Sequence, residues 1–200
     1  MRKNILITGS TGFIGRKIEG GRQFEGDILN RFDFNLHGIK GIVHLAAKSA
    51  PRCCEREPEA CLRTNLLGLL NILEIALQHN LWVIFISSFQ IRERNLYGLS
   101  KLLGEELCRI YKRRGLKVRI LRLPIIFGPG DTPEKFINKI LRGENPPVKG
   151  NRRFHFLHVE DAIKFIEREV DVLDGKVWGK KITLTEFKEG VHACLSSKPT

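Results

Sequence analysis

Apolar residues fall along this chain in two patterns. Short continuous runs, at Asn4 to Thr8 (NILIT), Gly41 to Ala47 (GIVHLAA), Trp82 to Ser87 (WVIFIS) and Val118 to Leu123 (VRILRL), predict strands buried on both faces. Gln23 to Gly26 reads as a brief extended stretch before Asp27. Between Pro58 and His79 the apolar positions Leu62, Leu66, Leu69, Leu70, Leu73 and Leu77 recur with a helical period, and Leu96 to Arg113 reads as a second helix. Strands alternating with helices predict an α/β fold, a doubly wound parallel sheet with helices on both faces.

The pattern changes after "FGPGD" at residues 127 to 131, where Pro133, Gly143, Pro146, Pro147 and Gly150 cut the chain into short pieces. Glu134 to Leu141 and Val159 to Val170 look helical, and Ile182 to Leu184 looks extended. Two units are expected: a sheet domain over residues 1–130 and a small lobe over 131–200.

The first strand runs into Gly9, Gly12 and Gly15, a turn of the kind that lets a backbone approach a pyrophosphate at a helix N-terminus. The sheet domain is therefore expected to be Rossmann-like and to bind a dinucleotide. Only Arg16 to Glu19 separate this turn from the Gly20-Gly21 pair, enough for about one helical turn. Asp27 lies eighteen residues after Gly9, near the spacing of a ribose-binding acid. A parallel crossover takes a dozen or more residues, so the missing helix argues against that role.

Composition narrows the classes further. The chain is 42% hydrophobic and 28% charged, ordinary for a globular protein. No purely apolar run approaches the roughly 20 residues of a membrane span, so a cytoplasmic protein without a membrane partner is expected. Five cysteines without a C-x-x-C pattern suggest free thiols and no metal site. The net charge of +12 suits an anionic ligand, and its scattered basic pairs do not form the tract of a specific nucleic-acid binder.

Several segments, in order, carry a resemblance: "ITGSTGFIG", "GDI", "VHLAA", "TNLLGLLNILEIA", "FISS", "YGLSK", "LRLPIIFGPGD" and "RFHFLHVEDA". Together they resemble the extended short-chain dehydrogenase/reductases, and within them the NAD-dependent sugar-nucleotide epimerases and dehydratases. "VWGKKITLTEF" is similar to their C-terminal lobe. The resemblance implies an NAD-dependent oxidoreductase acting on a nucleotide-sugar. It would place Gly9, Thr11, Gly12, Phe13, Ile14 and Gly15 around the cofactor pyrophosphate. Asp27 and Ile28 would lie beside adenine, and Leu45, Ala46, Ala47 and Pro124 would line the cofactor further along. It implies a catalytic set of Ser88, Tyr97 and Lys101, with Asn65 holding the active-site helix and its water, and Ser88 and Arg153 facing the substrate. Tyr97 and Lys101 are four apart on one helix face. An ammonium there would draw the phenol pKa down from about 10 toward a general base. Lys101 and Tyr97 would also touch the nicotinamide ribose. A homodimer through the Pro58–His79 and Leu96–Arg113 helices is implied as well.

The chain also departs from that family. The segment between Gly15 and Asp27 is shortened and lacks the element that selects NAD over NADP, so NADP stays open. The link from Ser88 to Tyr97 is short. Phe89 and Gln90 stand where dehydratases carry an acidic pair, which favours an epimerase or a reductase. Ile125 replaces a frequent asparagine, and His158 and the core histidine His44 are expected to be structural. The shortening raises a second expectation, a dinucleotide-binding or regulatory protein without turnover.

Overall fold

The computed structural model describes residues 3–30, 34–131, 139, 142–143 and 155–173. In it the apolar runs become a five-stranded parallel sheet: β1 (Ile5–Thr8), β2 (Arg22–Gln23), β3 (Gly41–His44), β4 (Trp82–Ser88) and β5 (Val118–Leu123). The order is β2-β1-β3-β4-β5. Every residue of β1, β3 and β4 is buried, which is why these strands read as continuous apolar runs instead of alternating. The direction of winding reverses at β1, with β2 on one side and β3 on the other. In open parallel sheets such a reversal opens a crevice at the carboxyl ends of the strands, where ligands bind.

The crossover from β3 to β4 carries α1 (Pro51–Arg56), α2 (Pro58–Leu62), a wide π-type turn over Arg63–Leu67, and α3 (Gly68–Gln78). The expected helix from Pro58 is thus formed over Pro58–Gln78, with a π-type widening around Asn65, and α1 was not legible from periodicity. Pro51 is its local signal, since proline at the first turn has the right φ and needs no N–H partner. The helix α4 (Leu96–Arg113) matches its expected span and is capped by Asn95, whose side chain accepts from the Gly98 N–H at 2.7 Å.

The helices α3 and α4 cover one face of the sheet, packing Leu69, Ile72, Leu73 and Tyr111 against Leu6, Ile42, Val83 and Phe85. The other face is covered by α5 (Val159–Leu173), whose Phe165, Ile166 and Val170 meet Ile5, Val43 and Ile84. By length and composition the helical stretch Pro58–Gln78, with a mean hydropathy of 1.4 over its most apolar window, would be enough to cross a membrane. Its Leu69, Ile72, Leu73 and Ala76 are fully buried in the core.

Two expectations need correction. Only a three-residue 3-10 turn, Gly15–Lys17, follows the glycine turn, yet residues 9–21 still complete a parallel crossover. Leu6 faces Arg22, Ile7 faces Gln23, and the Phe24 N–H reaches the Ile7 carbonyl at 2.8 Å. Gly20 and Gly21, at φ +71° and +80°, turn the chain back where a helix would otherwise do so. The second correction is that Cys54 and Cys61 form a disulfide, with Cα atoms 5.0 Å apart. In one continuous helix residues seven apart are about 10 Å apart along the axis. The break between α1 and α2 folds them together.

Beyond β5, a second sheet pairs β6 (Ile125–Phe127) with β7 (Phe156–His158) in parallel, an element the sequence pattern did not predict. Ile125 belongs to β6. His158 stands 5.4 Å from the Phe127 ring, in keeping with a packing role. Arg153, the Glu134 to Leu141 segment apart from Lys139, and the Ile182 to Leu184 segment lie outside the described residues.

Cys53 is half-buried and free. Cys108 is buried and free, and burial first, then the Glu105 charge, push its pKa up to about 12. Non-reducing peptide mapping of alkylated native protein is expected to recover a Cys54–Cys61 crosslink, label on Cys53, and none on Cys108 until the chain is unfolded. Label on Cys54 or Cys61 in the native protein would refute the pairing.

Candidate active site

The site is built at the carboxyl ends of β1, β3 and β4. Gly9 has φ +72°, and a Cβ there would lie 2.6 Å from the Ala46 nitrogen, so the end of β3 presses directly on the turn. A Cβ on Gly15 would lie 2.2 Å from the Gly9 carbonyl oxygen, and the Gly12 N–H bonds that same carbonyl at 3.0 Å. The glycines fold onto each other in a cradle without side chains, flanked by Thr11, Phe13 and Ile14. This is a form that suits a pyrophosphate. Arg16 donates to the Gly130 carbonyl, joining the cradle to the "FGPGD" loop that follows Pro124 and β6.

Thr8 ties the turn to β3. Its hydroxyl is 2.8 Å from His44 Nδ1, accepts from the Ala46 N–H at 3.4 Å, and its carbonyl takes the Leu45 N–H. His44 is only half satisfied, because its buried Nε2 has no partner. Burial, with the Lys101 charge second, lowers its pKa to about 3, so it is neutral. Asp27 closes its own loop, its carboxylate accepting from the Leu29 N–H at 2.9 Å. Ile28 is buried against α3, and Asn71 Nδ2 donates to its carbonyl at 3.0 Å.

Ser88 ends β4 and Tyr97 begins α4. The Ser88 hydroxyl accepts from the Gln90 N–H at 3.1 Å, capping the short turn Phe89–Arg92, and the Ser88 side chain lies near the Tyr97 phenol. A Cβ on Gly98 would lie 2.1 Å from the Gln90 carbonyl oxygen, so the start of α4 sits on that turn. The short Ser88–Tyr97 link therefore still joins the pair.

Lys101 differs from expectation. Its Nζ donates to the Ile86 carbonyl at 2.9 Å, lies 5.0 Å above the Phe85 ring, and is 6.0 Å from the Tyr97 ring centre. Burial lowers its pKa to about 8. The Tyr97 pKa is raised by burial, a shift that the nearby Ser88 side chain only partly offsets. The lowering expected from a neighbouring ammonium is absent because that ammonium is spent on Ile86 and both groups are out of water.

Asn65 occupies the wide turn between α2 and α3 and is buried. Its Nδ2 donates to Ser100 Oγ at 2.9 Å and to the Lys48 carbonyl at 3.1 Å, and its Oδ1 accepts from the Lys48 N–H at 2.8 Å. Ser100 in turn donates to the Tyr97 carbonyl at 2.8 Å. Asn65 thus braces the helix carrying Tyr97. Lys48 was not singled out in the sequence, and its only signal is its position directly after "VHLAA".

A lysine whose native pKa is about 8, against 10.5 in its ordinary state, binds fewer protons folded than unfolded between those pH values. Stability from this group therefore rises with pH across that window. Relative to a Lys101→Met variant, the parent is expected to gain about 2 kcal/mol between pH 7.5 and 10 in denaturant melts. A flat difference would show that the ammonium is solvated.

The family model for the NAD dependent epimerase/dehydratase family matches residues 22–177. UDP-glucuronate 4-epimerase 1 from Arabidopsis thaliana is 23% identical over 228 residues, an alignment covering 80% of this chain and 53% of that protein. The chain spans about half the length of the first curated relatives it matches. Among solved structures, dTDP-glucose 4,6-dehydratase from Streptomyces venezuelae, with NAD and TYD bound, superposes with a TM-score of 0.70 at 24% identity, covering 83% of this chain and 70% of that one. MoeE5, in complex with UDP-glucose and NAD, gives 0.69 at 25% identity over 82% and 70%. With the family model covering most of its length and the fold agreeing, this chain belongs to the NAD dependent epimerase/dehydratase family.

Proposed function

We propose that this chain binds NAD and acts on a nucleotide-sugar by transient oxidation of a ring hydroxyl, in the manner of an epimerase. One observation carries the reading: the Ser88 side chain lies near the Tyr97 phenol at the tip of β4, with Lys101 one helical turn further along α4 and its Nζ 6.0 Å from the Tyr97 ring centre. The bare cradle of Gly9, Gly12 and Gly15 suits the cofactor's pyrophosphate, with Leu45, Ala46, Ala47 and Pro124 lining its path and Asp27 and Ile28 toward adenine. NADP is not set aside, since Arg16, Lys17 and Arg22 supply the basic side chains near β2. When bound, the nicotinamide supplies the two-electron acceptor that no side chain provides.

The side chains handle the proton. Tyr97 takes it from the substrate hydroxyl, and Ser88 donates a hydrogen bond to the same oxygen as its carbonyl forms. Burial holds the phenol protonated in the free protein. Deprotonation therefore requires the Lys101 ammonium to leave the Ile86 carbonyl and turn toward the phenol. Asn65 holds Tyr97 in place through Ser100. Arg153 is proposed to meet a substrate phosphate, where a guanidinium can bind two oxygens at once. Phe89 and Gln90, directly after Ser88, supply no acid for eliminating water, which favours epimerisation.

One observation supports the second reading, binding without turnover: Lys101 is committed to Ile86 and not to the phenol. Tyr97→Phe separates the two. With NAD and UDP-glucose as probe, the variant is expected to keep NAD affinity within about twofold and to lose about 100-fold or more of the cofactor-reduction rate. NAD binding with no cofactor reduction or epimer formation in the parent, across a panel of nucleotide-sugars, would leave only the second reading.

We also propose that two copies pair through α3 and α4. Leu67, Leu99, Leu103 and Ile110 are the large apolar side chains left exposed among the described residues; three lie on α4, and Leu67 ends the turn directly before α3. Leu99→Glu with Leu103→Glu is expected to convert a dimer to a monomer in light scattering while helix content is retained. A parent chain that is already monomeric would overturn the pairing.

A further inference from the structure

Glu105 is fully buried on α4, and the mechanism above gives it no part. A carboxylate out of water is costly unless each lone pair is engaged, and here each one is. Oε1 accepts from Ser87 Oγ at 2.7 Å and from Arg122 Nε at 2.7 Å. Oε2 accepts from Arg122 Nη2 at 2.6 Å and from Arg109 Nη2 at 3.0 Å. Burial alone would raise the Glu105 pKa, but the hydrogen bonds from Arg122 and Ser87 and the charges of Arg122 and Arg109 outweigh it and hold it below the ordinary value.

These bonds join three elements at one point. Ser87 and Arg122 face each other across β4 and β5, and Glu105 reaches both from α4. Ser87 directly precedes Ser88, while Glu105 lies one turn beyond Lys101 and two beyond Tyr97. Three consecutive residues of β4 therefore meet α4. The Ile86 carbonyl takes Lys101, the Ser87 hydroxyl donates to Glu105, and the Ser88 side chain stands near the Tyr97 phenol. The middle contact alone is anchored by a two-pronged guanidinium, which accepts a single geometry. Buried ion clusters seldom repay their desolvation as stability, but their directional bonds are geometrically selective.

We propose that Glu105 is a positioning residue, its carboxylate locking Ser87 and β5 to α4 so that Ser88, Tyr97 and Lys101 stand in register. It touches no reacting atom and acts through β4 and α4. This rests on the reading of Ser88, Tyr97 and Lys101 as the reactive set, so the test includes one arm that needs no turnover.

The chain has two tyrosines, Tyr97 and Tyr111. Labelled with carbon-13 at the phenol carbon, they give two signals, which Tyr111→Phe assigns. Glu105→Gln and Ser87→Ala are expected to move the Tyr97 signal by more than its linewidth and leave Tyr111, on the same helix, in place. Ile166→Val, in the core of the opposite face, is expected to move neither. With NAD and UDP-glucose as probe, both site variants are expected to reduce cofactor about tenfold more slowly, with NAD affinity within about twofold. Ser87→Ala leaves the arginine–carboxylate cluster whole and keeps the test open should Glu105→Gln fail to fold. Folded variants with an unmoved Tyr97 signal, or an equal movement in Ile166→Val, overturn the proposal. A moved signal in a chain that never reduces cofactor supports the positioning role and defeats the proposed reaction.

Discussion

The seam between β4 and α4 is the contact on which the rest depends. β4 is buried along its whole length, so its polar groups near the carboxyl end have only protein to bond with. α4 supplies those partners and presents Tyr97 and Lys101 at the same time. The neighbouring features serve this seam. The turn after Ser88 seats the first turn of α4, and Asn65 reaches the Tyr97 carbonyl through Ser100. The disulfide between Cys54 and Cys61 packs with Tyr97 in one buried cluster.

Three buried ionisable groups near the seam meet desolvation in different ways. His44 gives up its charge. Lys101 keeps one with a single carbonyl and a ring face, and its pKa falls. Glu105 gathers enough donors that its charged form is favoured in spite of burial. The difference follows the number and sign of the partners available. It also separates the two groups: Lys101 holds one carbonyl and a ring face, while Glu105 accepts hydrogen bonds from Ser87, Arg122 and Arg109.

Much of the sheet was legible because strands buried on both faces must be apolar throughout. α4 was legible to the residue, since its period and its Asn95 cap agree. The π-type widening at Asn65 was not, because the apolar spacing of Leu62, Leu66 and Leu69 runs through it and only the tertiary bonds to Lys48 and Ser100 mark it. The β6–β7 pair is too short for a period to show. At the site, the spacing of Tyr97 and Lys101 correctly set both on one helix, but spacing says nothing about where a flexible ammonium points or how deeply it is buried. Cys54 and Cys61 read as unrelated thiols because Pro58 marks a helix boundary after Glu57 but does not say that α1 and α2 fold back to bring the two sulfurs together.

The crossover of residues 9–21 ends in a boundary strand only two residues long. The outer side of a sheet is a row of open donors and acceptors that invites other chains to add on. Here that row is about as short as a strand can be, and it leads at once into the loop closed by Asp27 and docked on α3. A crossover this short thus avoids leaving a long adhesive margin at that edge of the sheet.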